Sequence, residues 1–434
     1  MDATLDDMSD VLQRVQQTQF VDRPAAERML VSLVRELFGL DIARVELRPR
    51  EVSLNSFNGL LTLGDGTQLF FKSHTESDTV IAEYYNAAIL AEAGYPVLQP
   101  VLSSTEVGRQ FLIYDVVEEP SVFDVAWEIE RGKARLLPGL SDAQRVADCQ
   151  LWSIYHETLN WQSAENAARS PVHQLFSHRL VGGRLDLFLG KTRLITLPGV
   201  DFSLADVRSA KWVINGQRYE DTLDDLVVAA TDLLRPDQSG PSVIGHGDAH
   251  NANMFHRSQD AGLLYFDPAF AGRHDPLLDL TKPLFHNVFA MWMYFPKIVA
   301  AEMPIKFFYQ KGRFELEYDY QLHQVRRMFL RSKIDRVVIP LLRELNDRGW
   351  LPTTWREYLK AALFCCPLLT VNLSDANRFP PEISLLGLAN AVEMGSDSSG
   401  ARSLIDQILD EAEEALSGPV QLTPSPRSRR INRG

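Results

Sequence analysis

Residues 243–255 read Val-Ile-Gly-His-Gly-Asp-Ala-His-Asn-Ala-Asn-Met-Phe. Two apolar residues lead into a turn carrying His246, Asp248, His250 and Asn253, and apolar Met254 and Phe255 lead out. A second apolar run, Leu263–Phe266, then delivers Asp267. Strands that end in Asp or Asn place oxygen ligands along one sheet edge. The spacing His-x-Asp, with Asn five residues after the Asp, suits phosphoryl transfer. That chemistry asks for a carboxylate beside the attacking hydroxyl, hard oxygen ligands for Mg²⁺, and cations on the phosphates. Asp248 is the candidate base. Asn253 and Asp267 are candidate metal ligands, because Mg²⁺ is held by few protein oxygens and completes its shell with phosphate oxygens and waters. His250 is a second candidate catalytic residue facing the same mouth, with a structural role as its alternative. His246 is expected to hold the loop by hydrogen bonds to backbone.

The missing cation is expected upstream. Lys72 closes the apolar strand Gln68–Lys72, and its head needs a partner. Glu83, on the helix that follows, is the candidate. Such a pair would aim the ammonium at the α- and β-phosphates. The elements around it read as strands at Val45–Leu47, Leu60–Leu63 and Gln68–Lys72, a helix over 77–93, and strands at Val97–Leu102 and Phe111–Val117. Gly64-Asp65-Gly66 marks a hairpin turn. Residues 1–45 carry a helical apolar period between Pro24 and Gly39.

Glu118-Glu119-Pro120 marks a junction, after which helices dominate. They are expected at Asp142–Thr158, Asp221–Leu234, Leu277–Phe295, Leu316–Asn346, Thr354–Leu368 and Ser403–Leu416. Asn215-Gly216 predicts a small hairpin between Lys211–Ile214 and Gln217–Tyr219. Short strands are expected at Ser242–Gly245, Asn253–His256 and Leu263–Phe266. Residues 418–434 are rich in Pro, Ser and Arg and read as a disordered basic tail.

The segment His246-Gly-Asp-Ala-His-Asn-Ala-Asn253 resembles the H-G-D-x-H-x-x-N signature of the aminoglycoside phosphotransferase family, whose relatives include choline kinases. Asp267-Pro-Ala-Phe-Ala-Gly272 is similar to its metal-binding D-x-x-x-x-G segment. His274-Asp-Pro-Leu-Leu-Asp-Leu280 is similar to the following G-D-P-x-x-D-L, with His274 in place of Gly. The resemblance spans about residues 45–300. It implies an α+β, bilobal, protein-kinase-like fold: a small β-rich N-lobe (45–117) and a large, mainly helical C-lobe (118–417) with an insert at about 121–240. A helical extension (1–44) precedes them. It also implies ATP, with GTP as the alternative nucleotide, and Mg²⁺ on Asn253 and Asp267. Lys72 and Glu83 match the family's strand Lys and helix Glu, and Asp115 and Val117 fall where the interlobe hinge meets adenine. No G-x-G-x-x-G precedes the second strand; Ser53–Gly59 carries Ser and Asn instead.

Within the same sequence, Asp275 before Pro276 reads as a helix N-cap and Asp279 as an anchor for the catalytic loop. Three other readings compete. His246-x-Asp248-x-His250 could be a metal-hydrolase cluster, but no further His partner motif accompanies it. A nucleotide-binding scaffold would have lost the base or a metal ligand. A relative transferring AMP is separated by tracing α- against γ-labelled ATP.

The net charge of −13, from 44 Lys and Arg against 57 Asp and Glu, disfavours a broad nucleic-acid or membrane surface. An acidic N-terminus without an apolar run gives no secretory or mitochondrial signal, so a cytoplasmic protein is expected. The three cysteines are expected as reduced, buried thiols. The acceptor, a small-molecule hydroxyl, is not readable. The overall charge suits a cationic amino sugar, whereas His173, His178, Arg179, Arg184, Lys191 and Arg193 suit an acidic one.

Overall fold

The computed structural model describes residues 11–48, 56–74, 79–104, 106, 109–257, 262–319 and 321–417. The side chains of residues 13, 56, 74 and 79–85 are outside that description. The tail at 418–434, residues 53–55 of the polar loop and the Glu83 side chain therefore lie outside the described residues.

Helices α1 (Val11–Thr18) and α2 (Arg23–Phe38) come first. Asp22 caps α2 by accepting from the Ala25 N–H, Pro24 sits in its first turn, and Gly39 ends it at φ +65°. Strands β1 (Ile42–Leu47), β2 (Ser56–Leu63), β3 (Gln68–His74), β4 (Leu102–Ser104) and β5 (Phe111–Asp115) form an antiparallel sheet in the order β1-β2-β3-β5-β4. Helix α3 (Thr79–Glu92) lies between β3 and β4. The expected order of three strands, a helix and two strands is thus present. The expected strand at Val97–Leu102 is not: Val97 makes one isolated bridge to Tyr265, and pairing in the sheet starts only at Leu102.

Leu30, Leu33 and Val34 of α2 share one buried cluster with Phe57, Phe71 and Phe111 of the sheet. The N-terminal helices are therefore part of this lobe's core and not an appendage. Side chains alternate along a strand. With Leu69 and Phe71 packed toward α2, Phe70 and Lys72 go to the opposite face, beside Leu112 and Tyr114 of β5. That alternation puts the Lys72 head on the side facing the second lobe.

Residues 116–120 lead into α4 (Val122–Glu130) and α5 (Leu137–Thr158). The segment read as an insert begins with these two helices. It is integral, because Tyr155 of α5 reaches the candidate site described below. Strand Asn160–Gln162 pairs with Gly240–Gly245, which pairs with Gly272–His274. The hairpin Met254–Arg257/Gly262–Tyr265 lies between. The Asn215-Gly216 hairpin forms as expected, with φ of +50° and +79° at its two turn residues.

Two expectations of the helical lobe need correction, and one helix was not anticipated. The span Leu277–Phe295 is two helices, Pro276–His286 and Met291–Tyr294, because Asn287 leaves the first to accept from the Asn251 N–H. The span from Leu316 begins as a strand, Arg313–Tyr318. It joins Ile305–Gln310, Lys211–Ile214, Gln217–Tyr219 and Ser398–Gly400 in a second five-stranded sheet. A helix at Pro381–Gly395, packed on Trp355–Leu369, was not anticipated; it is buried almost all round, so no amphipathic period reveals it. Among the cysteines, Cys365 and Cys366 are buried, whereas Cys149 is exposed.

Candidate functional site

Strand Gly240–Gly245 ends at His246, whose side chain is fully buried. Its Nε2 donates to the Phe266 carbonyl at 3.0 Å, and its Nδ1 accepts from the Asp248 N–H at 3.3 Å. This pair of bonds requires the neutral ring with its proton on Nε2. Both nitrogens are committed to backbone, so His246 cannot be a zinc ligand. Among the described residues no group of three or more His, Cys, Asp and Glu could hold a metal ion. The hydrolase reading has no support in this arrangement.

Gly247 follows with φ +80°, and a Cβ there would lie 2.4 Å from the Phe270 carbonyl oxygen. Only glycine fits. The Gly247 N–H donates to Asp279 Oδ1 at 2.5 Å, and His274 Nε2 lies 3.0 Å from the same oxygen. The Tyr155 hydroxyl donates to Asp279 Oδ2. Burial pushes the Asp279 carboxyl up. The His274 hydrogen bond and charge, the Tyr155 hydroxyl and the Gly247 N–H outweigh it, and its pKa is lowered. Asp279 is thus a charged peg behind the loop, as its sequence reading expected. Asp275 caps the helix Pro276–His286 through the Leu277 and Leu278 N–H groups, and burial lifts its pKa to about 6.

The loop closes on itself. The Asp248 carbonyl accepts from the His250 N–H at 2.8 Å and from Asn253 Nδ2 at 3.0 Å. The Asn253 N–H donates to the His250 carbonyl at 2.8 Å, and the Phe266 N–H donates to the Asn253 carbonyl at 3.0 Å. With the Asn253 amide nitrogen engaged, its side-chain oxygen is left for a ligand. Asp248 Oδ1 is buried and has no hydrogen-bond partner among the described residues. His250 Nδ1 accepts from the Ala252 N–H, and its Nε2 stands 3.8 Å from Asp248 Oδ2. Burial lowers the His250 pKa, against the pull of the Asp248 charge, so the ring is neutral near pH 7.

Asp267 sits just past the strand with φ +57°, a strained value for a residue followed by proline. Its Oδ1 receives the Lys72 ammonium at 2.7 Å. This ion pair joins the first lobe to the loop of the second across 195 residues of sequence. The described partner of Lys72 is thus Asp267; Glu83 lies on α3 as expected, and its expected contact with Lys72 lies outside the described residues. Asn86, also on α3, was missed by the sequence reading. It is buried and donates to the Pro268 and Ala269 carbonyls at 3.2 and 3.3 Å, which fixes α3 against the Asp267 turn.

The lobes are further tied by backbone. The Leu98 N–H donates to the Tyr265 carbonyl at 2.8 Å and the Tyr265 N–H to Pro96 at 2.7 Å, and within the second lobe the His256 N–H donates to Pro120 at 2.9 Å. Asp115 ends β5 with its side chain exposed, and Val117 lies half-buried on the connection after it. Asp248, His250, Asn253, Asp267 and Lys72 are therefore gathered where the loop of the second lobe meets β3, with Asp115 and Val117 on the stretch joining the lobes.

On the Asp248 side lie groups the sequence did not mark. The His286 ring is 5.5 Å from the His250 ring. His286 Nε2 is 3.4 Å from Lys282 Nζ, and His286 Nδ1 is 2.8 Å from the Tyr294 hydroxyl. Burial, then the Lys282 charge, hold the His286 pKa well below its usual range. Of the aromatic run Phe285–Phe295, Phe285 and Phe289 are core, while Tyr294 and Phe295 are half-buried against Phe123.

No family model and no curated protein matches this chain. Solved structures it is similar to include aminoglycoside and macrolide phosphotransferases. One is a thermostable mutant of an aminoglycoside phosphotransferase, 11% identical, with 84% of this chain and 97% of that chain covered at a TM-score of 0.44. Another is the macrolide 2′-phosphotransferase of Brachybacterium faecium, 15% identical, with 90% and 99% covered at 0.37. A third is a spectinomycin phosphotransferase in complex with ADP and spectinomycin, 13% identical, with 84% and 98% covered at 0.37. At this level of likeness the chemistry rests on the side chains. Among the described residues no helix is long and apolar enough to cross a membrane.

Proposed function

We propose that this chain is an ATP-dependent phosphotransferase that moves the γ-phosphoryl group to a hydroxyl of a small molecule. The observation that carries the reading is the Lys72–Asp267 pair at 2.7 Å, set beside a loop that presents Asp248 and Asn253. A cation from one lobe and hard oxygens from the other thus converge on one cleft.

The donor set fits Mg²⁺: a carboxylate at Asp267 and the Asn253 side-chain oxygen, whose amide nitrogen is already used. Bound there, the ion would neutralise phosphate charge. Lys72 would turn from Asp267 toward the α- and β-phosphates, and Asp115 and Val117 would border the base. Asp248 Oδ1, buried and unpartnered among the described residues, is an acceptor for which the hydroxyl of the substrate supplies a donor. Asp248 orients that hydroxyl and takes its proton. His250 is neutral and beside the Asp248 carboxylate, so it positions the base without competing for the proton.

The test is ATP consumption across amino sugars, sugars, amino alcohols and hydroxy acids, with wild type and Asp248→Asn. Label from γ-labelled ATP should enter one of these hydroxyls, and Asp248→Asn should abolish the transfer. Label arriving from the α-phosphate, or binding of ATP with no transfer to any hydroxyl, would reject the reading.

A further inference from the structure

Six Lys and Arg side chains are buried among the described residues: Arg208, Lys282, Arg326, Lys333, Arg356 and Lys360. Burying a cation is costly unless a carboxylate accompanies it. Five follow that rule: Arg208 pairs with Asp224, Arg326 with Glu130, Lys333 with Asp148, and Arg356 and Lys360 with Asp406. Lys282 departs from it. It is 3% exposed, and its ammonium meets a histidine, His286 Nε2 at 3.4 Å. No carboxylate among the described residues forms an ion pair with it.

Lys282 is not alone. Half-buried Arg179 also forms no ion pair among the described residues, and Asp248 is the carboxylate whose charge reaches it. Arg184 adds a third positive charge close enough to disfavour that of Arg179. The cluster lies against the catalytic loop: Lys282 to His286, His286 to the His250 ring at 5.5 Å, and His250 to Asp248 at 3.8 Å. The carboxylate whose charge reaches Arg179 is the candidate base, which cannot serve as a permanent counter-ion, and Asp279, one turn before Lys282, is engaged by Gly247, His274 and Tyr155. Positive charge therefore accumulates where the acceptor must sit.

Resting on the phosphotransfer reading, we propose that the acceptor is an anion: a small hydroxyl compound bearing a carboxylate or phosphate group, which Lys282 and Arg179 bind while Asp248 engages its hydroxyl. The overall charge of −13 points the other way, toward a cationic substrate, but it is spread over the whole chain. The local cluster decides. A cationic amino sugar in this position would meet two uncompensated cations of its own sign.

The experiment has a binding arm and a turnover arm. The thermal midpoint of the full chain is followed against malonate and inorganic phosphate in wild type, Lys282→Met, Arg179→Gln and Lys72→Ala. Wild type should be stabilised by one or both anions. Lys282→Met and Arg179→Gln, on separate helices, should each lose that response, and Lys72→Ala should keep it. No response in wild type, or a response lost only in Lys72→Ala, would overturn the proposal. In turnover, hydroxy acids and sugar phosphates should exceed neutral sugars and amino sugars. For the best of them Arg179→Gln should lower kcat/KM at least about 30-fold, mainly through KM. The carboxylate and phosphate arms identify which anion is read. Preferred turnover of amino sugars would defeat the anion proposal and leave phosphotransfer standing. Anion binding without transfer to any compound would defeat phosphotransfer and leave the anion site standing.

Discussion

Tyr155→Phe removes one oxygen atom from α5 and tests whether the loop is held from behind. The Tyr155 hydroxyl and the Asp279 carboxylate are both buried, and no solvent can replace the lost donor. A hydrogen bond to a charged group contributes about 1.5–3 kcal/mol. For a chain of this size an unfolding entropy of about 0.9 kcal/mol/K turns that into a Tm drop of about 2–3 °C. The Asp279 pKa is lowered in the folded protein, and Tyr155 is one of the groups that lower it. A depressed carboxylate stabilises the fold above its unfolded pKa, and that stability is lost as pH falls through the folded value. Removing Tyr155 raises the folded value, so the acid-unfolding midpoint of the variant should move to higher pH. The Gly247 N–H hangs on the same carboxylate, so Asp248 is also held less well, and kcat should fall by about 10-fold or more. Nucleotide affinity should stay constant, because Lys72 and Asp267 are untouched. Calorimetry, an acid titration by circular dichroism and steady-state kinetics cover these points. A variant with wild-type Tm, acid midpoint and kcat would show that Asp279 holds the loop without Tyr155, and the chain of support drawn here would be wrong.

Three further outcomes are expected. Asp248→Asn should lose about 10²–10⁴ in kcat while binding ATP like wild type, since the carboxylate serves the acceptor hydroxyl; retention of half the wild-type kcat would remove it from the mechanism. Asp267→Ala should weaken ATP binding far more with Mg²⁺ than with EDTA, and Asn253→Ala should do so more mildly; calorimetry in both buffers reads the difference. Gly247→Ala combines a positive φ with a Cβ 2.4 Å from the Phe270 carbonyl oxygen, so it should cost about 1–3 kcal/mol in denaturant unfolding and most of the turnover.

Much of the first lobe was legible because period-2 alternation is a local property. Leu69, Phe70, Phe71 and Lys72 already say which face Lys72 leaves from, and Gly64-Asp65-Gly66 says where the chain reverses. The helix Pro381–Gly395 was not legible for the opposite reason. It is apolar on nearly every face, so the contrast between core and solvent that reveals a helix is missing. The strand Arg313–Tyr318 did carry a signal, alternating Phe314, Leu316 and Tyr318 after the turn residues Lys311 and Gly312. A helical period over 316–346 competed with it.

The site divides along the same physical line. Asp248, Asn253 and Asp267 are brought together by short spacings within one loop and one hairpin, so their grouping is written in the sequence. Tyr155, Asn86 and Lys282 act from separate helices, and nothing near them in the chain distinguishes them from ordinary core or surface residues. Lys282 is the sharpest case. In the sequence Asp-Leu-Thr-Lys-Pro-Leu-Phe-His it reads as a helix lysine with aspartate three residues before it, a normal exposed pair. In the fold Asp279 is taken by Gly247, His274 and Tyr155, and Lys282 is left with His286. The carboxylate that could have neutralised the lysine has been spent on positioning the loop. The same allocation that holds Asp248 in place leaves the neighbouring cation unneutralised, and on the proposed reading it couples the rigidity of the base to the charge of the compound that base would accept.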